Sequence, residues 1–176
     1  IMVNLIILLC KIQMRFLGGK VKRQYLMNIF LNIIKREDAS VDDRLTGICE
    51  LLQENVPYYD WVGFYFSNFE NKTLELKAFS GSPTDHEVIP FGKGVCGEVA
   101  VSNKTSVIPD VNLHKNYISC NMNVKSEIVV PIFYKESNIG QIDIDSFTFD
   151  AFKEEDMLFL EKISKMVSRE INGVKK

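Results

Sequence analysis

The sequence lacks the features of exported, membrane-bound and nucleic-acid-binding proteins. Its apolar run at residues 5–9 is far shorter than the ~18–20 residues of a membrane span. Lys11 and Arg15 follow that run, whereas a secretory signal carries its basic residues before the apolar core. With 21 Lys+Arg against 23 Asp+Glu, the net charge of −2 offers no overall attraction to phosphate backbones or anionic lipid. We therefore expect a cytoplasmic protein with neither a nucleic-acid nor a membrane partner.

Cysteine is sparse, and the four thiols are far apart in the sequence. Gaps of 39, 47 and 24 residues separate them, so the chain has no C-x-x-C pair of the zinc-ribbon or thioredoxin type. A zinc site built from both histidines and two of the cysteines would have a spacing that fits no known zinc finger. We predict no metal, no cofactor and reduced, mostly buried thiols. The residues concerned are Cys10, Cys49, Cys96, Cys120, His86 and His114.

The composition is that of one globular domain. Of the 176 residues, 46% are hydrophobic and 11% aromatic, which is enough for a single core. A charged fraction of 25% excludes a disordered tail protein. We expect residues 1–19 to be a short leading helix or a poorly ordered N-terminal extension, and residues 20–176 to form the domain.

Hydrophobic periodicity predicts helices at both ends of the chain and strands between them. Apolar residues recur at helical spacing over residues 20–35, and a second helix begins after the N-cap candidate Ser40, with Cys49 on its core face. A short helix is predicted at residues 95–102 and a long amphipathic one at residues 153–171. The predicted inward residues of the last helix are Met157, Leu158, Leu160, Ile163, Met166 and Val167.

The central segments have the alternation and β-branched content of strands. They are mostly joined by hairpin turns, which favours antiparallel pairing. We predict an α+β fold with a central antiparallel sheet of about six strands flanked by N- and C-terminal helices. The strand-like segments are residues 59–66, 74–79, 105–108, 127–133 and 139–144.

Two cysteines lie in segments that suggest chemistry. Cys96 is at the start of a short helix within the glycine-rich residues 90–97, where the helix N-terminus and Lys93 would both lower the pKa of its thiol. Cys120 lies in the polar connection of residues 109–124, and connections of this length are frequently functional. Each also has a structural interpretation: Cys96 as a buried thiol in a tight turn, Cys120 as a loop thiol that fills a pocket.

Acidic and aromatic residues alternate along the predicted strands. Asp143 and Asp145 point to the same face by alternation, and Glu127 on the preceding strand brings a third carboxylate nearby. Like charges this close should raise at least one carboxyl pKa. The alternatives are a solvated strand end or a divalent-metal site. Trp61 and Tyr65 share one face of the first strand, where they could equally be core residues.

Six motifs, in consistent order, carry a resemblance to a known family. They are WVGFY (61–65), IPFGKGVCG (89–97), VIPDV (107–111), ISC (118–120), SEIVVPI (126–132) and GQIDIDS (140–146). The chain resembles the free methionine-(R)-sulfoxide reductases, which are built on a GAF domain, from about residue 25 to residue 171. The resemblance implies a GAF fold and reduction of free L-methionine-(R)-sulfoxide to methionine.

The resemblance also implies a role for two cysteines. The Cys120 thiolate would attack the sulfoxide sulfur, and Cys96 would capture the resulting sulfenic acid as a disulfide, although the sequence leaves the reverse order open. A thioredoxin-like protein would reduce the disulfide. No cofactor is implied.

Five further residues are implied to bind the substrate. Glu127, Asp143 and Asp145 would hold its ammonium group and, where protonated, donate to the sulfoxide oxygen. Trp61 and Tyr65 would form the wall around the methyl-sulfur end, because a small amino-acid site needs apolar walls and a few convergent polar groups.

One position departs from the family pattern. The family commonly has a further cysteine ten residues before Cys96, and this chain has His86 there. Cys96 or an external thiol would then have to resolve the sulfenic acid. The replacement also motivates a second hypothesis, a non-catalytic GAF module that senses a small molecule by binding it. The amphipathic terminal helices favour a homodimer.

Overall fold

Helices lie at both ends of the chain, with a sheet between them, in the order that the sequence predicts. The computed structural model describes residues 19–118 and 121–173. The helices are α1 (Gly19–Ile34), α2 (Val41–Asn55), α3 (Gly94–Ser102) and α4 (Glu154–Gly173), and a 3-10 turn spans Val111–Leu113. The strands are β1 (Trp61–Asn68), β2 (Thr73–Ser80), β3 (Val88–Pro90), β4 (Ser106–Ile108), β5 (Ser126–Tyr134) and β6 (Ser137–Ser146).

The strands form one six-stranded sheet in the order β3-β2-β1-β6-β5-β4, and each neighbouring pair is antiparallel. This confirms the predicted α+β class and strand number. Sequence patterning missed β3, because three residues ending in proline are too short to show alternation and suit only a sheet edge. β1 and β6 pair at the centre of the sheet, which places the acidic end of β6 beside the aromatic start of β1.

The sheet buries both of its faces. Alternate residues of β1, β5 and β6 pack against α1, α2 and α4 in the larger core cluster, which also contains the fully buried Cys49 as predicted. The residues between them face α3 and form a second cluster that includes Trp61, Tyr65, Cys96 and Val129. The polar side chains on this face, among them Glu127 and Asp143, are buried as well.

Local sequence signals fix the helix ends. Ser40 caps α2 as predicted: its side chain accepts from the Asp43 amide, and the Asp43 carboxylate accepts from the Ser40 amide in return. In α4 the prediction of an inward Leu158 is wrong, since that side chain is 56% exposed. The buried stripe runs instead through Phe159, Leu160 and Ile163, so Leu158 falls on the flank of the helix.

Two sequence predictions remain: an N-terminal extension before the domain, and the absence of a membrane span. The predicted extension of residues 1–19 lies almost wholly outside the described residues, so the division into extension and domain stays a prediction. In the part of the chain that the structure describes, no helix is both long enough and apolar enough to cross a membrane.

Candidate active site

The register of the central strands brings the three predicted carboxyl groups to one place. Glu127 on β5 stands opposite Asp145 on β6, and Asp143 lies two residues along the same face of β6. Relative exposures are 5% for Glu127, 4% for Asp143 and 5% for Asp145. The sheet therefore buries three acids side by side, which rules out a solvated strand end.

The Cys96 thiol lies against this acidic row. Cys96 is the third residue of α3 and is 4% exposed, and its Sγ donates to Asp143 Oδ2 at 3.2 Å. The glycine-rich turn before α3 makes this approach possible, since Gly92 and Gly94 adopt φ values of 82° and 64° that side-chain-bearing residues avoid. Lys93, expected to act on the thiol, is exposed at the mouth of the same recess.

Burial raises the pKa values of all three carboxyl groups. The pKa of Glu127 rises well above its usual range through burial and then through the charges of Asp143 and Asp145. The pKa of Asp145 rises likewise through burial and then the charges of Asp143 and Asp60. Burial raises the pKa of Asp143 to about 7, although hydrogen bonds from Cys96 and Glu127 work in the opposite direction. The row therefore holds protons near neutral pH and can donate them.

Trp61 lies flat across its own strand beside the acidic row. A Cβ on Gly63 would lie only 2.1 Å from Trp61 Cη2, so the absence of a side chain there makes room for the indole. The ring stacks on Phe79 at a centroid distance of 5.9 Å, and Trp61 Nε1 donates to the Ser82 carbonyl at 3.1 Å. Since Trp61 is opposite Asp145 in the β1–β6 register, an apolar surface adjoins a carboxyl group.

Tyr65 lies deeper than a wall residue would. It is 1% exposed and lines neither of the two recesses beside the acidic row. Its ring centroid is nevertheless 6.3 Å from that of Trp61. Its hydroxyl donates to the His86 carbonyl at 2.9 Å. Tyr65 therefore supports Trp61 and ties down the segment before β3.

Two recesses flank the acidic row. Each leaves a free volume of only about 10 to 20 Å³, which is room for about one water molecule. The thiol recess is lined by His86, Ile89, Lys93, Gly94, Val95, Cys96, Ile118, Glu127 and Asp143. The tryptophan recess is lined by Asp60, Trp61, Ser82, Pro83, Thr84, Asn121, Val124, Asp145 and Phe147.

Asp60 is a site residue that sequence reasoning missed. It precedes β1, and its Oδ2 accepts from the Phe147 amide at 2.7 Å, which places a second carboxylate beside Asp145 in the tryptophan recess. In the sequence, the one indication that Asp60 could belong to the site is its position immediately before Trp61. Its contact with Phe147 depends on the pairing of β1 with β6, which the sequence does not show.

The connection that contains Cys120 is attached to α3 by Glu98. Glu98 Oε1 accepts from Asn116 Nδ2 at 2.8 Å, and Glu98 Oε2 lies 2.9 Å from His114 Nε2. Asn116 Nδ2 also donates to the Gly92 carbonyl at 2.9 Å. The polar connection is thus held against the glycine-rich turn at several points.

Cys120 itself lies outside the described residues, so its pairing with Cys96 stays a prediction. Among the described residues, one group of metal-binding side chains converges, and it comprises Cys96, Glu127 and Asp143. His114, one of the residues weighed and set aside for a zinc site in the sequence, contacts Glu98.

Comparison with known proteins assigns this chain to a family. The GAF domain model matches residues 40–171, which confirms the predicted fold type. Free methionine-R-sulfoxide reductase of Escherichia coli is 35% identical over 74% of this chain and 77% of its own length. The enzyme of the same name from Saccharomyces cerevisiae is 41% identical, but the match spans only 62% of either protein.

A solved structure agrees with these relatives. Free methionine-R-sulfoxide reductase from Neisseria meningitidis, in complex with its substrate, superposes with a TM-score of 0.82 at 30% identity. The match covers 89% of this chain and 92% of that one. The chain therefore belongs to the free methionine-R-sulfoxide reductase family, whose members are oxidoreductases built on a GAF domain.

Proposed function

We propose that this protein reduces free L-methionine-(R)-sulfoxide to methionine with a pair of cysteine thiols. The observation that carries the proposal is the Cys96 thiol, buried 3.2 Å from a carboxyl group whose pKa is raised to about 7. Reduction of a sulfoxide by a thiol pair needs a second thiol that captures the sulfenic acid and an acid that protonates the sulfoxide oxygen, and the thiol recess offers both groups.

The reaction consumes two thiols. The Cys120 sulfur attacks the sulfoxide sulfur while Glu127 or Asp143 protonates the sulfoxide oxygen. The hydroxyl group then passes from the methionine sulfur to the Cys120 sulfur as the bond between the two sulfurs breaks, so methionine leaves reduced by two electrons and Cys120 becomes a sulfenic acid. The Cys96 thiol then attacks that sulfur, expels water and forms a disulfide.

The neighbours of Cys120 in the chain support its role as nucleophile. Ile118 lines the thiol recess and Asn121 lines the tryptophan recess. Only Ser119 and Cys120 connect these two positions, and consecutive Cα atoms are about 3.8 Å apart. The described residues on either side of Cys120 in the sequence therefore line the two recesses that adjoin the acidic row.

The tryptophan recess is suited to the amino-acid end of the substrate. Asp60 and Asp145 offer two carboxyl groups to an ammonium, next to the apolar surface of Trp61. We infer that Trp61 contacts the methyl-sulfur end, with Tyr65 behind it, while Asp143 and Glu127 face the sulfoxide oxygen. A peptide-bound residue has no free ammonium, so these carboxyl groups would favour the free amino acid.

The remaining parts of the proposal concern partners. His86 stands where the family commonly has a cysteine, so we assign Cys96 as the resolving thiol. A thioredoxin-like dithiol then reduces the Cys96–Cys120 disulfide by thiol–disulfide exchange. Such thiols need a reducing compartment, which favours the cytoplasm. The homodimer stays a prediction, since the apolar faces of α1 and α4 pack in the core of the same chain.

An epimer-resolved assay tests the proposal. With dithiothreitol or thioredoxin as reductant, the purified protein should consume free L-methionine-(R)-sulfoxide and leave both the S epimer and peptide-bound sulfoxide unchanged. Cys120→Ser should abolish turnover with an unchanged circular dichroism spectrum. Cys49→Ala, which removes a thiol from the α2 core, is the matched control and should keep full activity.

Two results would overturn the proposal. Absence of turnover with either reductant would exclude the reductase. Tight binding of methionine sulfoxide without any turnover would support the alternative, a GAF module that senses a small molecule.

A further inference from the structure

The thiol recess brings together four side chains of the kinds that bind transition metals. Cys96 Sγ and one carboxylate oxygen each from Glu127 and Asp143 all lie within 4.8 Å of one another, and all three residues are buried. His86 lines the same recess but is not one of this converging group. The set therefore offers one sulfur, one imidazole and two carboxylates.

Two atoms of this set have no hydrogen-bond partner in the described part of the chain. Asp143 Oδ1 and His86 Nδ1 are both buried and both unpaired there. Asp143 is 4% exposed, so water does not readily reach its carboxyl group. Leaving a buried polar atom without a partner costs about 1–3 kcal/mol of stability. A bound cation would accept one lone pair from Asp143 Oδ1 and one from His86 Nδ1.

The donor types select the metal. Thiolate and imidazole ligands suit Zn²⁺, which binds four ligands in a tetrahedral arrangement, whereas Ca²⁺ and Mg²⁺ take six or more oxygen ligands. We propose that the thiol recess is a Zn²⁺ site held by Cys96, Glu127 and Asp143, and that a rotation of the His86 side chain brings its unpaired Nδ1 to the metal as the fourth ligand. Lys93 also lines this recess and is exposed.

Zinc in this position would switch the proposed reductase off. It would hold the Cys96 sulfur as a ligand, so the thiol could not resolve a sulfenic acid, and it would occupy the carboxyl groups that donate protons. This consequence rests on the proposed function, whereas metal binding itself does not. His86 is the residue that distinguishes a four-ligand site from the three converging groups alone, since it lines the recess with an unpaired Nδ1.

Titration of the reduced full-length protein with Co²⁺, followed by Zn²⁺, tests the site without an activity measurement. One equivalent of Co²⁺ should produce thiolate-to-cobalt charge-transfer absorption, and one equivalent of Zn²⁺ should remove it. Cys96→Ser should lose this absorption, and His86→Gln should weaken Zn²⁺ binding at least about tenfold. Cys120→Ser should retain the absorption.

The chain supplies matched controls. His114→Gln changes the only other histidine, which contacts Glu98, and Cys49→Ala removes a core thiol; both should bind like the unmodified protein. Absorption that survives Cys96→Ser, or equal weakening by the His86 and His114 substitutions, would overturn the site. If Cys96→Ser fails to fold, the comparison of the two histidine variants still decides.

A rate measurement tests the switch separately. Zn²⁺ should inhibit sulfoxide reduction by the unmodified protein, a chelator should restore it, and His86→Gln should need at least about tenfold more Zn²⁺ for the same inhibition. A reductase that stays fully active with Zn²⁺ bound would overturn the switch. A protein that binds Zn²⁺ but never turns over would contradict the proposed function and leave the site intact.

Discussion

Asp143 and its two neighbours make the stability of this protein depend on pH. Burial raises all three carboxyl pKa values, that of Asp143 from 3.8 to about 7, so the folded protein keeps protons that the unfolded chain releases. The free energy of unfolding should therefore fall as pH rises from about 4 to about 7, on the order of 4 kcal/mol for Asp143 alone. Asp143→Asn should reduce this fall, because an amide does not titrate.

Urea unfolding at about pH 5 and about pH 8 measures the effect. Glu70→Gln, in the exposed turn after β1, is the matched control and should show the same pH dependence as the unmodified protein. Equal pH dependence in Asp143→Asn would show that the carboxyl group does not titrate in this range.

Gly63 decides where the single tryptophan lies. An alanine there would place its Cβ 2.1 Å from Trp61 Cη2, and the indole, now 7% exposed, would have to move towards solvent. Gly63→Ala should shift the tryptophan fluorescence to longer wavelength and raise KM for the sulfoxide at least about tenfold, because the apolar wall is displaced. Ser67→Ala, at the other end of β1, should leave the emission unchanged, and an unshifted Gly63→Ala spectrum would contradict this account.

Some of these residue positions follow from the sequence and others do not. A period of two along β5 and β6 is enough to bring Glu127, Asp143 and Asp145 to one face. The position of Asp60 depends on strand pairing across 87 residues of sequence, and the deep position of Tyr65 depends on α3 covering it. Alternation gives the face of a sheet, but packing decides which residues on that face reach a recess.

At the scale of elements, Glu98 links α3 to the connection that contains Cys120. Glu98→Ala removes the contacts with His114 and Asn116, so the amides of this connection should exchange hydrogen faster and kcat/KM should fall about tenfold. Glu98→Gln should restore much of the rate, since its amide can still accept from Asn116. Hydrogen exchange with mass spectrometry checks the first effect.

A matched control lies on α4. Glu161 accepts from Thr105 Oγ1 at 3.2 Å, next to β4 rather than next to the Cys120 connection. Glu161→Ala should leave both measurements unchanged. Unchanged exchange in Glu98→Ala would mean that other contacts hold the connection.

Element types were predictable because their patterns are local. Ser40 with Asp43 marks the start of α2, and the alternation of β5 and β6 survives burial on both faces. β3 has too few residues for any periodicity, and its pairing with β2 comes from tertiary structure. The error at Leu158 has the same origin, since the neighbours of α4 decide how wide its buried stripe is.

At the scale of the whole molecule, Asp156 joins the N-terminal half to α4. Asp156 is 1% exposed and accepts from Arg23, from the hydroxyls of Tyr58 and Tyr59 and from the Lys153 amide. Asp156→Ala leaves several of these donors without a partner and should lower the free energy of unfolding by about 3 kcal/mol in urea.

The exposed pair of Arg36 and Asp38 provides the comparison. Asp38→Ala breaks an ion pair of similar length, 2.9 Å, at the surface and should change stability little. If the two substitutions lowered the free energy of unfolding by similar amounts, the burial of Asp156 would not be what makes its contacts stabilising.

The central claim of this account is that Cys120 and Cys96 act as one redox pair, and mass mapping after a single turnover tests it most directly. Reduced protein mixed with excess free L-methionine-(R)-sulfoxide, without any other reductant, should release one equivalent of methionine per chain. The products should include a peptide pair linked through Cys96 and Cys120, with the mass loss of two hydrogens. Methionine release with Cys96 still carrying its thiol, or no release at all, would contradict the claim.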